Sequence, residues 1–214
     1  MSNQEEQVMA VPRALVDKLG LHQGFNAMRV GAFKGLIKEE NFRFIPRSEA
    51  ETDETHLQLI PYVIVMKKHS VLTYQRTKLS GEQRLIGKHS IGFGGHINSD
   101  DVTFQRGLIR EIFEEELKGL NVIEDCPSFR GLILDDSSAV GRVHLGIVYV
   151  IEIGDEHKPI NSDDPNIRLL DFVSLDRLDS MVTYPEIYPF EEWSKILLRS
   201  SDDLVRIDTV FGQV

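Results

Sequence analysis

Cysteine is almost missing from this chain of 214 residues, in which Cys126 is the only one. An intrachain disulfide is therefore impossible, which agrees with a protein of the reducing cytoplasm. Long apolar runs are missing too, since no uninterrupted stretch approaches the roughly 20 residues that a membrane-spanning helix needs. The N-terminal sequence MSNQEEQVMA lacks the basic and then apolar order of a secretory signal. We therefore predict a cytoplasmic protein without a membrane partner.

Basic residues are in deficit, because 24 Lys and Arg stand against 34 Asp and Glu, a formal net charge of −10. A chain with this charge repels nucleic-acid phosphates, so we predict no polymeric nucleic acid as a partner. A small phosphorylated substrate stays open, because a metal ion and a few local cations can outweigh the field of the whole molecule. Hydrophobic residues make up 41% and charged residues 27%, an ordinary balance for a soluble globular protein.

Internal repeats and low-complexity segments are absent, so the length predicts one main domain with an addition. Residues 1–55 carry mixed signals, and their strand-like run Phe42–Ile45 is stopped by Pro46. We predict that residues 1–55 form an N-terminal elaboration, packed on the core, that could shape the substrate site or the contact of a possible homodimer. Residues 56–214 are predicted to form the main domain.

From His56 onward the sequence becomes strongly β-like. The pattern begins with a predicted hairpin, in which Pro61 indicates a late start or an edge position of the first strand. Pro189 suits the first turn of a final helix. A mixed sheet held between two helices, an α/β (α+β) fold, accommodates this order of elements. The predicted strands are 57–66, 71–77, 85–97, 128–134, 142–153 and 167–175, and the predicted helices are 103–118 and 189–199.

The most informative stretch is the acidic run Arg110–Leu117, which follows the glycines of Gly92–His96. Residues three and four apart share a face of an α-helix, so Glu111, Glu114 and Glu115 should project together. A hard divalent cation such as Mg²⁺ removes the repulsion among clustered carboxylates, because it prefers oxygen ligands. A solvated face is the simpler interpretation of an acidic run alone, but the preceding glycines permit close approach of the backbone.

The glycine loop and the acidic run together resemble the signature of the Nudix hydrolase family. In that signature a glycine is followed after five residues by Glu, and after seven more by Arg-Glu-aliphatic-any-Glu-Glu, any residue, glycine and an aliphatic residue. Gly95 matches the first glycine, and Arg110–Glu115 matches the central six residues completely. Asp101 stands in place of the first Glu, with one extra residue after it, and Leu117 replaces the later glycine. The resemblance covers roughly residues 57–200. Within the family, the chain is similar to a bacterial branch of Nudix phosphoesterases.

This resemblance implies an α/β/α sandwich and the hydrolysis of a phosphoanhydride, typically in a nucleoside diphosphate joined to another group. Mg²⁺ or Mn²⁺ is the implied cofactor, and Glu114 and Glu115 match the family's metal-ligating pair. Gly94 or Gly95 matches the position whose backbone carbonyl completes the metal site. Glu111 matches the residue that orients these carboxylates or acts as the base, so it is expected in both the catalytic and the metal-binding set. The predicted partner is a small phosphorylated substrate, a nucleotide derivative.

Other polar residues near these motifs have a functional and a structural interpretation. Arg110 is predicted to anchor the glycine loop to the helix through a carboxylate. His144, in an apolar strand, is predicted to be a satisfied core histidine. Four basic side chains near the loop are candidates for binding substrate phosphates, although a solvated strand edge or a local hydrogen bond would also explain them. These four are Arg76, Arg84, Lys88 and His96, and the later carboxylates that could add a ligand or base are Asp135, Asp136 and Glu152.

Two other functions compete with metal-dependent hydrolysis. A Nudix-fold sensor binds a nucleotide without hydrolysing it, but such proteins commonly lose box glutamates, and all three are present here. A Nudix-fold isomerase of prenyl diphosphates requires a catalytic cysteine, whereas Cys126 follows the acidic run in the wrong sequence context. The sequence therefore favours a Nudix-type pyrophosphohydrolase, an enzyme that hydrolyses acid anhydrides, with the sensor as the alternative.

Overall fold

Strands and short helices both occur along residues 5–78 and 85–202, the part of the chain that the computed structural model describes. This mixture of strands and helices confirms the α/β class predicted from the sequence. The strands are β1 (Gln7–Pro12), β2 (Gly24–Ala27), β3 (Arg43–Pro46), β4 (His56–Lys67), β5 (Ser70–Arg76), β6 (His89–Ser90), β7 (Ser128–Leu134), β8 (His144–Ile153) and β9 (Ile167–Ser174). The helices are α1 (Arg13–Asp17), α2 (Val30–Leu36), α3 (Arg47–Ala50), α4 (Phe104–Ile109, continued as a π-helix over Arg110–Glu116), α5 (Leu175–Val182) and α6 (Glu192–Arg199).

The described residues divide into two compact units. The first unit contains residues 5–62, 94–111 and 129–148, and the second contains residues 63–78, 85–93, 112–128 and 149–202. Residues from the predicted N-terminal elaboration supply strands β1, β2 and β3 to the first unit. The boundary expected after residue 55 stays a prediction.

The strand order in the first unit is β2-β7-β8-β4-β1-β3, to which β4 contributes its residues up to Tyr62 and β8 its residues up to Val148. β1 lies antiparallel to both β3 and β4, and its residues 8–11 are buried on both faces of the strand. Next to the strands, the ring of Phe33 in α2 lies 5.2 Å from the rings of both Phe104 and Phe129. Because Phe104 is the first residue of α4, this aromatic contact holds the start of the helix that leads into the acidic run.

The second unit contains the hairpin predicted from the sequence. β4 and β5 pair with Met66 opposite Val71, and β5 also pairs with β6 and β9. β4 runs through Pro61 without interruption and has neighbours on both sides, so the late start or edge position predicted from Pro61 is wrong. Proline lacks only the N–H of the ladder and its fixed φ is compatible with extended backbone, so the strand tolerates it there.

The segment before the acidic helix is mostly irregular, so the strand predicted over residues 85–97 is wrong in its extent. Only β6 is regular there, and Phe93 makes an isolated bridge to Val63. Glycines at positions 92, 94 and 95 lack the side chains that pack a strand on its two faces. The backbone therefore leaves the sheet and reaches the acidic helix as a loop.

The acidic helix covers the predicted region, but its geometry changes at Arg110. Thr103 caps α4, because its hydroxyl accepts a hydrogen bond of 3.2 Å from the N–H of Arg106. In the π-helix that follows, the N–H of Leu117 donates to the carbonyl of Ile112, five residues earlier, at 3.0 Å. A predicted uniform α-helix is thus an α-helical turn followed by a wider π-helical one.

The final predicted helix begins later than expected. α6 starts at Glu192, so the predicted first-turn position of Pro189 is wrong. The carbonyl of Pro189 instead accepts a hydrogen bond of 2.7 Å from the N–H of His89, which continues the pairing at the end of β6. None of the described helices combines the length and the apolar character that a membrane crossing requires.

Candidate functional site

The π-helix changes which carboxylates of the acidic run lie together. Its turn is wider than that of an α-helix, so residues four and five apart share a face rather than residues three and four apart. Glu111 therefore shares its face with Glu115 and Glu116, and Glu114 is rotated away from it. Glu114 thus does not share the face on which Glu111, Glu114 and Glu115 were all predicted to lie. Glu114 and Glu115 are exposed, whereas Glu111 is only 8% exposed.

Glu111 lies directly against the glycine loop. A β-carbon added to Gly95 would meet the Glu111 carboxylate, with Cδ at 2.9 Å, Oε1 at 3.2 Å and Oε2 closer still. On its other side the carboxylate accepts a hydrogen bond of 2.7 Å from Nη1 of Arg110 to Oε1. One oxygen is thus held by the guanidinium while the other faces the backbone of Gly95. Glycine is needed at this position for close approach to a carboxylate.

Arg110 anchors the loop to the helix, as the sequence predicted. Its Nε and Nη2 donate to Oδ1 and Oδ2 of Asp101 at 2.7 and 2.8 Å, and Nη2 also donates to the carbonyl of His96 at 2.9 Å. Burial by itself would raise the pKa of Asp101, but hydrogen bonds from Arg110 and from the N–H of Asn98 bring that pKa below its ordinary value. The shorter Asp101 therefore forms a buried bidentate pair that fixes the loop.

Gly94 is required for a different reason. A β-carbon there would collide with the carbonyl oxygen of Pro61 and would lie 2.9 Å from its carbonyl carbon. These are backbone atoms of β4, so they cannot move aside as the end of a side chain can. Of two adjacent glycines, Gly94 thus lets the loop lie on the strand and Gly95 leaves the Glu111 carboxylate in place.

The donors assembled here suit a hard divalent cation. Mg²⁺ prefers oxygen ligands and Mn²⁺ accepts them, and the site offers the carboxylates of the helix and the carbonyls of the glycine loop. The close approach of Gly95 to Glu111 brings a peptide group and a carboxylate together within the first unit. The residues present therefore fit a Mg²⁺ or Mn²⁺ ion by the chemistry of their donor atoms.

An acidic cleft of about 400 Å³ lies in the second unit, at the end of the π-helix. Carboxylates dominate its lining, so an anionic substrate would be repelled from it unless cations were present. Asp164 is held by its own loop, because its Oδ1 accepts hydrogen bonds from the N–H and the side-chain amide of Asn166 at 2.9 and 2.7 Å. The lining residues are Glu115, Glu116, Lys118, Asp163, Asp164 and Asn166.

Arg76 is a firmly held cation near this cleft. Its Nε donates to Oε1 of Glu191 at 3.0 Å, and its guanidinium lies 5.3 Å from the centre of the Tyr74 ring. Burial alone would lower the pKa of Arg76, but its contacts with Tyr74 and with the carboxylates of Glu191 and Glu116 together raise that pKa above its ordinary value. Arg76 therefore stays charged close to Glu116, one of the residues that line the cleft.

The other predicted phosphate-binding cations have different surroundings. Lys88 is half-buried at the start of β6, and its carbonyl accepts a hydrogen bond of 2.9 Å from the N–H of Arg76. Arg84 lies outside the described residues. The ring of His96 belongs to the first unit, where Nε2 is buried and has no hydrogen-bond partner among residues 5–78 and 85–202. That enclosure weighs against a phosphate contact, which stays a prediction for all four residues, Arg76 included.

His96 and His144 form a pair of imidazoles. Their ring centroids lie 5.6 Å apart, with an angle of 65° between the rings. Burial above all, with the nearby charges of Arg47 and His144, lowers the pKa of His96 to about 3. Nδ1 of His144 donates to the carbonyl of Val140 at 2.7 Å, so the expectation of a hydrogen-bonded core histidine is confirmed at that nitrogen.

Two of the three later carboxylates have structural partners. Asp135 is 2% exposed and accepts hydrogen bonds from the side-chain amide of Gln23 at 2.8 Å and from the N–H of Ser137 at 3.0 Å. Asp136 forms an ion pair of 3.2 Å with Arg13. These contacts stabilise the turn after β7. The third later carboxylate, Glu152, lies on β8 and is exposed.

Sequence reasoning missed the polar residues that arrive from distant segments. Asp163 and Asp164 reach the cleft from the loop before β9, and Glu51 comes within 4.8 Å of His96 and His144 when one ligand atom of each residue is compared. Residue type was the only signal in the sequence, because no spacing rule relates segments that meet through a sheet.

Known proteins resemble this chain in both sequence and fold. Protein YmaB of Bacillus subtilis (strain 168) is 32% identical over 162 residues, which cover 72% of this chain and 78% of YmaB. Among solved structures, Tm1382, assigned to the Nudix hydrolases, shares 28% identity and a TM-score of 0.72 over 93% of this chain and 100% of its own. No family model matches the sequence.

Proposed function

Because the chain belongs to the Nudix hydrolase family and is a pyrophosphohydrolase, we propose that it cleaves a nucleoside diphosphate joined to another group. Mg²⁺ or Mn²⁺ is the proposed cofactor, the cytoplasm is the proposed location, and a homodimer stays a prediction. The observation that carries the proposal is the position of the Glu111 carboxylate against the backbone of Gly95. This contact brings a carboxylate against the loop whose backbone carbonyls are the other oxygen donors proposed for a hard cation.

The proposed metal ligands are Glu111 and Glu115, with a carbonyl of Gly94 or Gly95 completing the set, and Glu114, on another face of the π-helix, is proposed as the weaker contributor. When bound, the ion neutralises charge on the phosphate oxygens and lowers the pKa of a coordinated water. Arg110 is a positioning residue, since it holds Oε1 of Glu111. Oε2 of Glu111, which faces the glycine loop, is the atom proposed to orient the ligand set or to accept the proton of the attacking water.

Substrate binding is proposed to depend on local cations within an acidic surrounding. Arg76, paired with Glu191 and close to Glu116, and the half-buried Lys88 are the proposed contacts for phosphate oxygens. The carboxylates of the cleft would repel a diphosphate unless a cation held by Glu115, one of the lining residues, neutralised them. Metal and substrate should therefore bind with positive coupling, each raising the affinity of the other.

The experiment that tests this function begins with a hydrolysis screen. Nucleotide sugars, dinucleoside polyphosphates, NAD(H), ADP-ribose and modified nucleoside triphosphates would each be offered with Mg²⁺ and with Mn²⁺. On the substrate found, Glu111→Gln should slow single-turnover cleavage by about 10²–10⁴, the scale of a lost general acid or base. Its melting temperature should change little, because the substitution also relieves repulsion among the carboxylates.

Glu39→Gln is the matched control, because it removes the same charge from an exposed position outside the site. Equal cleavage rates for Glu111→Gln and the control would reject the role of Glu111. Nucleotide binding by the wild type with no hydrolysis of any compound would reject the enzyme and favour a sensor.

A further inference from the structure

We propose that the first unit holds a second metal site, formed by Glu51, His96 and His144 and suited to Zn²⁺ rather than to Mg²⁺. One ligand atom from each of the three residues lies within 4.8 Å of the other two. Two imidazole nitrogens and one carboxylate favour a transition metal, whereas Mg²⁺ selects oxygen donors. The site shares no donor atom with the proposed hydrolytic centre, whose donors are the carboxylates of the acidic run and backbone carbonyls of the glycine loop.

His96 provides the first argument for this site. Its Nε2 is enclosed and has no hydrogen-bond partner among the described residues, although a buried ring nitrogen left unpaired costs free energy. The ring lies beside that of His144, with 5.6 Å between the two centroids. A metal ion bound between the two rings would satisfy this nitrogen.

His144 has the arrangement that is usual for a metal-ligating histidine. Its Nδ1 lies 2.7 Å from the carbonyl oxygen of Val140, an atom that can only accept, so Nδ1 carries the proton. The lone pair of the ring is therefore on Nε2. Metal-ligating histidines almost always donate their second N–H to a carbonyl or carboxylate in this way, which fixes both the tautomer and the ring orientation.

Glu51 supplies the carboxylate and a route from solvent. Glu51 forms an ion pair with Arg47, whose Nε lies 3.7 Å from Oε1, which is longer than a hydrogen bond. The same guanidinium donates to Oε2 of Glu6 at 2.7 Å, so Arg47 keeps a partner when Glu51 turns to a metal. The side chain of Glu51 is 35% exposed, which leaves the site open to an incoming ion.

Occupation of this site would bear on the glycine loop. His96 follows Gly95 directly, and its carbonyl accepts a hydrogen bond from Arg110. Zn²⁺ on the ring of His96 would therefore tie the loop to the end of α3, through Glu51, and to the start of β8, through His144. A ring held through Nε2 could not donate from that nitrogen to a phosphate as well.

The test is calorimetric titration of the full-length, chelator-stripped protein with ZnCl₂ and, separately, with MnCl₂. Glu51→Gln and His144→Gln should each weaken Zn²⁺ binding by more than the about 10–100-fold that loss of an outer-shell partner costs, and leave Mn²⁺ binding unchanged. Glu115→Gln should weaken Mn²⁺ binding and leave Zn²⁺ binding unchanged. X-ray absorption at the zinc edge of the wild type should show two imidazole ligands with oxygen completing the shell.

His157→Gln is the matched control, because it removes a histidine whose Nε2 lies 3.1 Å from a carboxylate, that of Asp125, in the second unit. Glu51→Gln changes a half-exposed side chain and should therefore fold. It allows the test to be made even if His144→Gln does not fold. Three results would overturn the second site. Zn²⁺ could bind Glu51→Gln as strongly as it binds the control, Zn²⁺ binding could disappear in Glu115→Gln, or the wild type could fail to bind Zn²⁺. None of these results depends on hydrolytic activity.

Discussion

Gly94 and Gly95 are neighbours, but a side chain at each would meet a different kind of atom. At Gly95 it would meet the end of the Glu111 side chain, and at Gly94 it would meet the backbone carbonyl of Pro61. Gly95→Ala should therefore displace the carboxylate and lower kcat by about 10²-fold, the usual cost of a misplacement of about 1 Å, with little loss of stability. Gly94→Ala should lower the free energy of unfolding by about 1–3 kcal/mol, because backbone has to move.

Turnover with Mn²⁺ and thermal unfolding, measured on the two alanine variants side by side, separate these effects. Full activity of Gly95→Ala would show that the loop is only a turn and does not position Glu111.

The buried pair of Asp101 and Arg110 should make stability depend on pH. Asp101→Asn leaves the guanidinium without its bidentate partner, so the free energy of unfolding should fall by about 3 kcal/mol near neutral pH. The pKa of Asp101 is lowered in the folded protein, so its contribution is complete above the unfolded value of about 3.9 and is lost as pH falls through the folded value. The difference in free energy of unfolding between the wild type and Asp101→Asn should therefore disappear only at acidic pH.

Urea unfolding at pH 7, 5 and 3 measures that gap. Asp136→Asn is the control, because it breaks a more exposed pair with Arg13 and should cost less than about 1 kcal/mol. A gap that stays the same at every pH, or that does not exceed the control, would show that Asp101 acts only by packing.

At the scale of the element, the π-helix of the acidic run decides which carboxylates act together. With four-residue and five-residue neighbours on one face, Glu115 lies with Glu111 and Glu114 does not. Glu115→Gln should therefore weaken Mn²⁺ binding at least about tenfold more than Glu114→Gln. Calorimetry or the electron paramagnetic resonance signal of Mn²⁺ would rank the two variants. Equal losses would indicate that the run behaves as an ordinary α-helix in solution.

At the scale of the whole molecule, the formal charge of −10 makes the folded protein sensitive to cations. An ion that binds only the folded state stabilises it by about 2.7 kcal/mol at 100 times its Kd. Mn²⁺ and Mg²⁺ should therefore raise the melting temperature, and the rise should disappear when Glu111 and Glu115 are both replaced by Gln. Thermal scans in NaCl at matched ionic strength give the control for general screening. An undiminished rise in the double variant would place the stabilising ions elsewhere on the surface.

Local patterns in the chain predicted the features that depend on near neighbours. The β-like pattern predicted β7 at Ser128–Leu134 to the residue and the hairpin of β4 and β5 closely. The six residues Arg110–Glu115 predicted the acidic helix, and the role of Arg110 as an anchor followed from its charge next to carboxylates. Such patterns are readable because side-chain spacing along a helix or strand fixes which face each residue occupies.

Features that combine distant segments could be seen only in the folded molecule. β2, α2 and α5 were not predicted, because four to eight residues carry too little periodic signal to stand out from loops. The meeting of Glu51, His96 and His144 depends on the order of strands in the first unit, and the approach of Gly95 to Glu111 depends on how the loop leaves β6. No local spacing encodes these contacts, because they arise when burial of apolar surface brings remote parts of the chain together.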